Sequence, residues 1–248
     1  MLKRCTLAIL VAAAFRPAAA PAVDWLPDMI VRESDLYDND VTTSVAPGRV
    51  HLRLSNGTAN IGLGPLHIMG GESNGDGTQQ VLQRVFADDG SYYDRLAGNF
   101  IHHPTHGHVH FEGWALYQLR EILPDDGVGD VLAKGEKTSF CLIDGGIQDS
   151  GLPNFSGSSY YTSCGETVQG ISVGWYDVYG SYLTGQNIDI TDVIRTGRKC
   201  RGDVNVADVV RACRKWSNNV HLHLGSGNRT GNRAEVRVHV CGVSQNCR

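Results

Sequence analysis

The fold class follows most directly from residues 50–58, which are Val-His-Leu-Arg-Leu-Ser-Asn-Gly-Thr. Apolar and polar side chains alternate through the first five of these residues, as is typical of a half-buried β-strand. The next four, Ser-Asn-Gly-Thr, are a hairpin-type turn signal. We therefore predict a strand at 50–54 that ends in a tight turn.

Clusters of Gly, Asn, Asp and Ser, which favour turns, separate short apolar runs along the rest of the chain. The 30 glycines among 248 residues favour many turns and short strands over long helices. The Gly-rich segment 70–77 lacks the spacing and the terminal Glu of an EF-hand, so we predict a solvated turn there. Further strands are predicted at residues 60–66, 79–86, 114–121, 137–143, 172–178, 188–193, 220–224 and 234–240. With no internal repeat, the expected fold is all-β: a single sandwich-like domain with long loops and little helix, over residues 21–248.

Residues 1–20 have the organisation of a signal peptide. Lys3 and Arg4 form a charged start, an apolar run follows to Phe15, and the alanines at 18–20 offer a small-residue cleavage site. A buried N-terminal helix is the alternative, but nothing amphipathic continues it. The apolar run is too short to span a membrane. The expectation is export to a secreted or periplasmic location without membrane insertion.

Composition and cysteine content agree with an exported globular protein. Hydrophobic residues make up 41% of the chain and charged residues 19%, and the net charge of −4 gives no electrostatic reason to expect nucleic acid as a partner. Loss of Cys5 with the signal peptide would leave six cysteines, an even number that indicates disulfides. Short enclosed loops favour Cys141 with Cys164 and Cys241 with Cys247, although six cysteines allow 15 arrangements.

The candidate metal ligands are His106, His108 and His110, which alternate with Gly107 and Val109. If this segment is extended, the three imidazoles project from one face and can converge on one ion. Imidazole nitrogen suits copper, zinc, iron or nickel, and no cysteine lies close enough in sequence to make a blue-copper site. The alternative is a solvent-facing polar strand edge.

Five sequence blocks, taken in order, resemble the catalytic domain of the lysyl oxidase family. The resemblance runs from about Pro27 to Asn219, and it is to a prokaryotic-type member without additional recognition domains. The blocks are HGHVHF at 106–111, GEKTSFCL at 135–142, QGIS at 169–172, WYDVYG at 175–180 and IDITDV at 188–193.

The resemblance implies a role for each candidate residue. His106, His108 and His110 match the copper ligands of the family. Lys137 and Tyr179 match the lysine and tyrosine that become lysine tyrosylquinone, whereas the nearby Lys134 does not fall at the motif position. A quinone carbonyl condenses with a primary amine, and a carboxylate can then remove the α-proton. Asp177 matches an aspartate proposed as that general base.

The implied function is that of a secreted copper-dependent amine oxidase. Its partners would be dioxygen and a primary amine or a protein lysine side chain, and its products an aldehyde, hydrogen peroxide and ammonia. Two alternatives remain: a non-catalytic exported copper-binding protein of the same fold, and a zinc-dependent or cupin-like metalloenzyme that uses the same histidines.

The chain departs from the family pattern at several positions. Vertebrate members carry cysteines where this chain has Thr105, Trp175 and Gly185, which leaves Cys141 and Cys164 to pair with each other. Asp28 matches a calcium ligand of the family, but Lys215 would place a positive charge where the ion needs a carboxylate, which argues against calcium. The C-terminal part, from about residue 195, is divergent throughout.

Overall fold

Short β-strands dominate the computed structural model of the protein, which describes residues 22–103, 107–122, 128–195, 210–212 and 233–240. The strands are β1 (Asp24–Trp25), β2 (Met29–Arg32), β3 (Asn39–Thr42), β4 (His51–Leu54), β5 (Asn56–Asn60), β6 (Leu66–Ser73), β7 (Thr78–Ala87), β8 (Tyr92–His103), β9 (His108–Phe111), β10 (Ala115–Ile122), β11 (Val128–Lys134), β12 (Gly146–Ile147), β13 (Val168–Ile171), β14 (Trp175–Tyr179), β15 (Asn187–Asp189), β16 (Val210–Ala212) and β17 (Arg233–Val240). The helices in these ranges are short: α1 (Glu33–Leu36) and α2 (Thr191–Arg195). The predicted all-β class with little helix is confirmed.

The strands described form four sheets. The largest has the order β13-β6-β7-β8-β9, with β1 also paired to β7. The others have the orders β12-β14-β5-β2, β15-β4-β3 and β11-β10-β17-β16. Pairing is antiparallel except between β16 and β17. The candidate histidines therefore lie at one edge of the largest sheet, and Tyr179 lies on a strand of a different sheet.

One hydrophobic core joins all four sheets. Its buried members include Ile68 and Phe100 from the largest sheet, Val31 from β2, Leu52 from β4 and Tyr117 from β10. Because each sheet buries one face in the same core, the sheets hold fixed positions relative to one another. Residues far apart in sequence can therefore be held together precisely.

The predicted hairpin turn at 55–58 is wrong. Asn56 and Gly57 lie inside β5, and β5 pairs with β14 on one side and β2 on the other rather than with β4. All five residues of β5 are buried. Pairing on both edges within the core overrides the local turn preference of Asn-Gly.

Other strand predictions are confirmed in part. Those at 79–86, 114–121 and 234–240 correspond to β7, β10 and β17. Residues 61–65 form a loop instead of a strand, because the buried Asn60 side chain bonds the turn through Gly62 N–H and Gly64 C=O. The turn predicted at 70–77 is confined to residues 74–77, because β6 continues to Ser73.

Three predictions near the candidate site also need correction. Residues 172–174 form a turn between β13 and β14, and residues 191–195 form α2 rather than the end of a strand. Residues 137–143 are not a regular strand, since Phe140 alone makes a β-bridge, to Phe111. The predictions for residues 1–20, for the strand at 220–224 and for the Cys241–Cys247 pair lie outside the described residues. In the described ranges, no helix has the length and apolar character needed to cross a membrane.

Candidate functional site

The histidine segment begins with a turn and continues as a strand. Gly107 has a φ of +67°, a left-handed conformation that glycine adopts without the steric cost of a side chain. Strand β9 starts at the next residue, so His108 and His110 lie on one face of it. The expectation that one extended strand carries all three histidines is therefore wrong at Gly107. His106 itself lies outside the described residues.

His108 and His110 bring their imidazole rings together. Their Nε2 atoms are 2.9 Å apart, and the ring centroids are 4.8 Å apart. Two nitrogens bound to one ion at about 2.0–2.1 Å, and about 90° apart, would be separated by ~2.8–3.0 Å. The pair therefore fits two adjacent ligand positions of a transition metal that accepts imidazole. Within the part of the chain that is described, no group of three His, Cys, Asp or Glu side chains is placed to hold a metal.

The histidine strand lies against the segment that contains Lys137. Phe111 and Phe140 exchange both backbone hydrogen bonds, at 2.7 and 3.1 Å. On the histidine face, His110 Nδ1 lies 3.4 Å from the Ser139 hydroxyl oxygen. The candidate metal ligands and the Lys137 segment are therefore direct neighbours.

Tyr179 is held by the backbone of Cys141. Its phenol oxygen accepts a hydrogen bond from the Cys141 N–H at 2.8 Å and donates one to the Cys141 carbonyl at 3.0 Å. Its ring packs edge-on against Phe140, with the centroids 4.8 Å apart. Burial raises the pKa of the Tyr179 phenol, and the nearby Asp177 carboxylate adds to the effect. The ring is therefore fixed in a protonated, partly buried position.

The Cys141–Cys164 disulfide anchors this arrangement, and it confirms the pairing expected from the sequence. One half-cystine clamps the Tyr179 phenol. The carbonyl of the other, Cys164, accepts a hydrogen bond from the N–H of Val109 at 3.4 Å. The bridge thus connects the tyrosine to the histidine strand.

Lys137 lies directly over the tyrosine ring. Its Nζ is 4.9 Å from the Tyr179 ring centroid and 5.1 Å from that of Phe140. Burial lowers the pKa of the Lys137 ammonium group, because charge is costly in this half-buried place. The amine expected to join the ring is therefore near it and shifted toward its neutral, nucleophilic form.

Gly185 forms the wall behind Lys137. A Cβ on this glycine would lie 3.1 Å from Lys137 Cδ, and its φ is +82°. The loop that carries Gly185 is tied to β4, because the Arg53 guanidinium donates to the carbonyls of Ser181 at 2.6 Å and Leu183 at 3.0 Å. The position of the lysine thus depends on Arg53, which lies 84 positions earlier in the chain.

Asp177 lies two residues before Tyr179 and faces the same side of β14. It is 6% exposed and accepts hydrogen bonds from the backbone N–H groups of Ile143 and Val178. Burial raises the pKa of Asp177 to about 7; the two hydrogen bonds oppose this shift and the Asp144 charge adds to it. A carboxyl group with a pKa near neutrality can both take and return a proton.

Comparison with known proteins places the chain in a family. The family model for lysyl oxidase matches residues 94–232 of the chain. The chain belongs to the lysyl oxidase family. Human lysyl oxidase homolog 1 is 35% identical over 92 residues, which are 37% of this chain and 14% of the relative. Human lysyl oxidase homolog 3 is 35% identical over 95 residues, which are 38% of this chain and 11% of the relative. Zebrafish (Danio rerio) lysyl oxidase homolog 3B is 34% identical over 95 residues, which are 38% of this chain and 10% of the relative.

The matched segment is therefore a small part of these lysyl oxidase homologs, between a tenth and a seventh of their length. Among the positions that the sequence resemblance singled out, the structure brings together His108 with His110, and Lys137 with Tyr179. Lys134, outside the motif position, is exposed.

Three residues next to the candidate site have no role assigned from the sequence: Ser139, Gly185 and Gln169. Ser139 and Gln169 lie within the sequence blocks that resemble the family, but a block of sequence does not indicate which of its residues contacts which strand. Asp28, the matched calcium position, has its N–H bonded to the Asn60 side chain at 3.1 Å, and Lys215 lies outside the described residues.

Proposed function

We propose that this chain is an exported copper-dependent amine oxidase acting on primary amines or on lysine side chains of proteins. The overall reaction would convert R–CH₂–NH₂, dioxygen and water to R–CHO, ammonia and hydrogen peroxide. The observation that carries the proposal is the placement of Lys137 Nζ 4.9 Å from the centre of the Tyr179 ring. Membership of the lysyl oxidase family supports this class of reaction.

The residues that would hold copper are His106, His108 and His110. The 2.9 Å separation of the His108 and His110 Nε2 atoms supports this assignment, because it suits adjacent ligands on one ion. Copper would supply the redox chemistry that oxidises Tyr179, and the resulting lysine tyrosylquinone would supply the electron sink for amine oxidation.

Protein groups prepare Lys137 and Tyr179 for coupling. The Cys141 backbone fixes the phenol, so the ring cannot rotate away from the lysine. Phe140 and Gly185 lie next to the Lys137 side chain and half-bury it. Burial lowers the pKa of the Lys137 ammonium group, which favours the neutral amine that bond formation requires.

Asp177 would act as the proton acceptor during substrate oxidation. Its pKa of about 7 matches a group that must be ionised to take a proton and able to release it again. Its position on the same face of β14 as Tyr179 supports this role.

Intact mass of the full chain, produced with and without Cu²⁺, tests the proposal. Formation of the quinone adds one oxygen atom and removes four hydrogen atoms, a net gain of about 12 Da, and creates a carbonyl-reactive chromophore. We expect both in the unsubstituted chain with copper, and neither in Lys137→Arg. The matched control is Lys134→Arg, an exposed lysine three residues away, which should behave as unsubstituted protein.

Two outcomes would favour the alternatives. Copper binding without chromophore or peroxide release, with any primary amine, would indicate a non-catalytic copper-binding relative. Zinc at full occupancy with no copper, after expression with both metals, would indicate a zinc enzyme.

A further inference from the structure

The pairing between the histidine strand and the Lys137 segment stops after a single residue pair. Phe111 and Phe140 form a complete hydrogen-bonded pair. In an antiparallel ladder the next such pair lies two residues away on each strand, which here is Val109 and Leu142. Val109 and Leu142 bond other partners instead, so the two backbones separate at this point.

The Gln169 side chain fills the gap between them. Its Nε2–H donates to the Val109 carbonyl at 3.0 Å, and its Oε1 accepts from the Leu142 N–H at 3.0 Å. The same Nε2 also donates to the Gly165 carbonyl at 3.2 Å. The amide thus takes the place of a peptide group between two strands and widens their separation by the width of one side chain.

The remaining backbone groups of this pair are also bonded. Val109 N–H donates to the Cys164 carbonyl, and the Leu142 carbonyl accepts from Gly170 N–H at 3.0 Å. Gln169 is completely buried, so water cannot replace its hydrogen bonds. Without the amide, either the two strands move together or buried polar groups lose their partners.

Both strands carry parts of the candidate site next to the bonded residues. Val109 lies between His108 and His110, and Leu142 follows Cys141, whose backbone holds the Tyr179 phenol. A change in the spacing between Val109 and Leu142 would therefore shift the histidine pair relative to the tyrosine.

We propose that Gln169 is a positioning residue: its side-chain amide acts as a spacer that sets the distance between the histidine strand and the Cys141 clamp of Tyr179. The consequence for copper rests on the proposed function, whereas the spacing itself does not. Glutamine suits the task because one amide offers a donor and an acceptor at opposite sides of a planar group. Asparagine is one methylene shorter, so it cannot reach both strands from the same backbone position.

The test compares Gln169→Met and Gln169→Asn with Gln83→Met in the full chain. Gln83 is an equally buried glutamine on the same face of the same sheet, two strands away, and it bonds Arg95 rather than the site. It therefore controls for the general loss of a buried amide. If Gln169→Met is not recovered folded, Gln169→Asn keeps the amide chemistry and carries the test.

The first readout needs no metal. In the unsubstituted chain and in Gln83→Met, the ring protons of His110 and the β protons of Ser139 should show a nuclear Overhauser effect, since the side chains are in contact. We expect this signal to weaken or move to other partners in both Gln169 variants. An unchanged signal in a folded Gln169 variant would overturn the proposal.

The second readout uses Cu²⁺ itself. We expect at least about a tenfold loss of Cu²⁺ affinity in the Gln169 variants, and a changed hyperfine splitting in the copper electron paramagnetic resonance spectrum, with neither change in Gln83→Met. A purely structural role would lower stability but leave the spectrum of the folded protein unchanged, and that result would contradict the proposal. If the unsubstituted chain binds no Cu²⁺, the proposed function fails, and the metal-free readout still decides whether Gln169 sets the spacing.

Discussion

The phenol oxygen of Tyr179 is bonded to both backbone groups of Cys141, at 2.8 Å to the N–H and 3.0 Å to the carbonyl. A single hydroxyl thus satisfies two main-chain groups that lie next to a disulfide. These two hydrogen bonds hold the Tyr179 ring in the orientation in which its face lies toward Lys137. Tyr179 therefore also contributes to the stability of the fold, before any oxidation takes place.

Tyr179→Phe should therefore affect both stability and colour. Loss of the hydroxyl leaves the Cys141 N–H and carbonyl without this partner, so we expect the free energy of unfolding in urea to fall by about 1–3 kcal/mol. The variant should bind copper but form no carbonyl-reactive chromophore. Tyr176→Phe is the matched control: its ring faces the opposite side of β14, under the Arg32 guanidinium, a contact that Phe retains. Retention of the chromophore in Tyr179→Phe would contradict the assignment.

Asp177→Asn should change how stability depends on pH. Burial holds the pKa of Asp177 at about 7, above its unfolded value near 4, so the folded state binds this proton more tightly. The contribution of Asp177 to native stability should therefore fall as the pH rises from about 4 to about 7 and level off above that. Asparagine does not ionise, so its stability relative to the unsubstituted chain should increase over the same range. Urea unfolding of both proteins at several pH values measures this, and parallel curves would refute it.

The same substitution should alter catalysis in the proposed oxidase. If Asp177 removes the α-proton, kcat/KM should rise with pH through a midpoint near 7 in the unsubstituted chain, because kcat/KM reports the ionisation of the free enzyme. Asp177→Asn should lose most activity and this acid limb together. A variant that keeps the limb would assign the proton transfer to another group.

Gly185→Ala should interfere with the lysine specifically. The φ of +82° costs an alanine about 1–2 kcal/mol, and the new methyl would press on Lys137 at 3.1 Å. Gly90→Ala is a close control, because Gly90 has a φ of +83° and open space where the methyl would go. We expect similar losses in unfolding free energy from the backbone term, but slower chromophore formation only in Gly185→Ala. Equal rates of chromophore formation would show that Gly185 does not position the lysine.

Removal of the Cys141–Cys164 disulfide should cost about 3 kcal/mol of stability, because the bridge closes a loop of 23 residues. The double variant Cys141→Ala, Cys164→Ala should also form less chromophore, since both the Tyr179 clamp and the Val109 contact depend on this bridge. Urea unfolding and quinone staining measure the two effects. A full yield of chromophore would show that the hydrogen bonds suffice without the bridge.

His110→Ala should abolish high-affinity Cu²⁺ binding if the histidine pair is a metal site. His67→Ala is the control, because His67 Nδ1 bonds the Tyr161 hydroxyl at 2.9 Å instead. Competition with a chelator of known affinity gives the two constants. Equal Cu²⁺ affinities of His110→Ala and His67→Ala would show that the metal does not bind at β9.

Alternation along the sequence predicts strands best where one strand face is buried. Residues 50–54 alternate strictly between apolar and polar types, and β4 covers His51–Leu54 with Leu52 and Leu54 buried. Asn56 and Gly57 have a strong local turn signal, yet they lie in a strand because β2 and β14 pair with both edges of β5. Pairing between distant segments is not encoded in local spacing.

The candidate site shows the same division. Histidine spacing and ordered blocks predict His108, His110, Lys137 and Tyr179 as site residues, because the proposed chemistry requires these residue types. Gln169 was not predicted as a site residue, because its role arises from a gap between two strands that only the folded chain contains.

The contacts of Arg53 with the loop at 181–183 have a consequence for maturation. Arg53 belongs to β4, so the wall behind Lys137 exists only after the N-terminal half of the domain has joined the C-terminal half. On the proposed chemistry, a chain that is incomplete or misassembled would leave its lysine and tyrosine uncoupled. The chromophore absorbance per mole of protein would then measure the fraction of correctly assembled molecules. A purity measurement alone does not give this fraction.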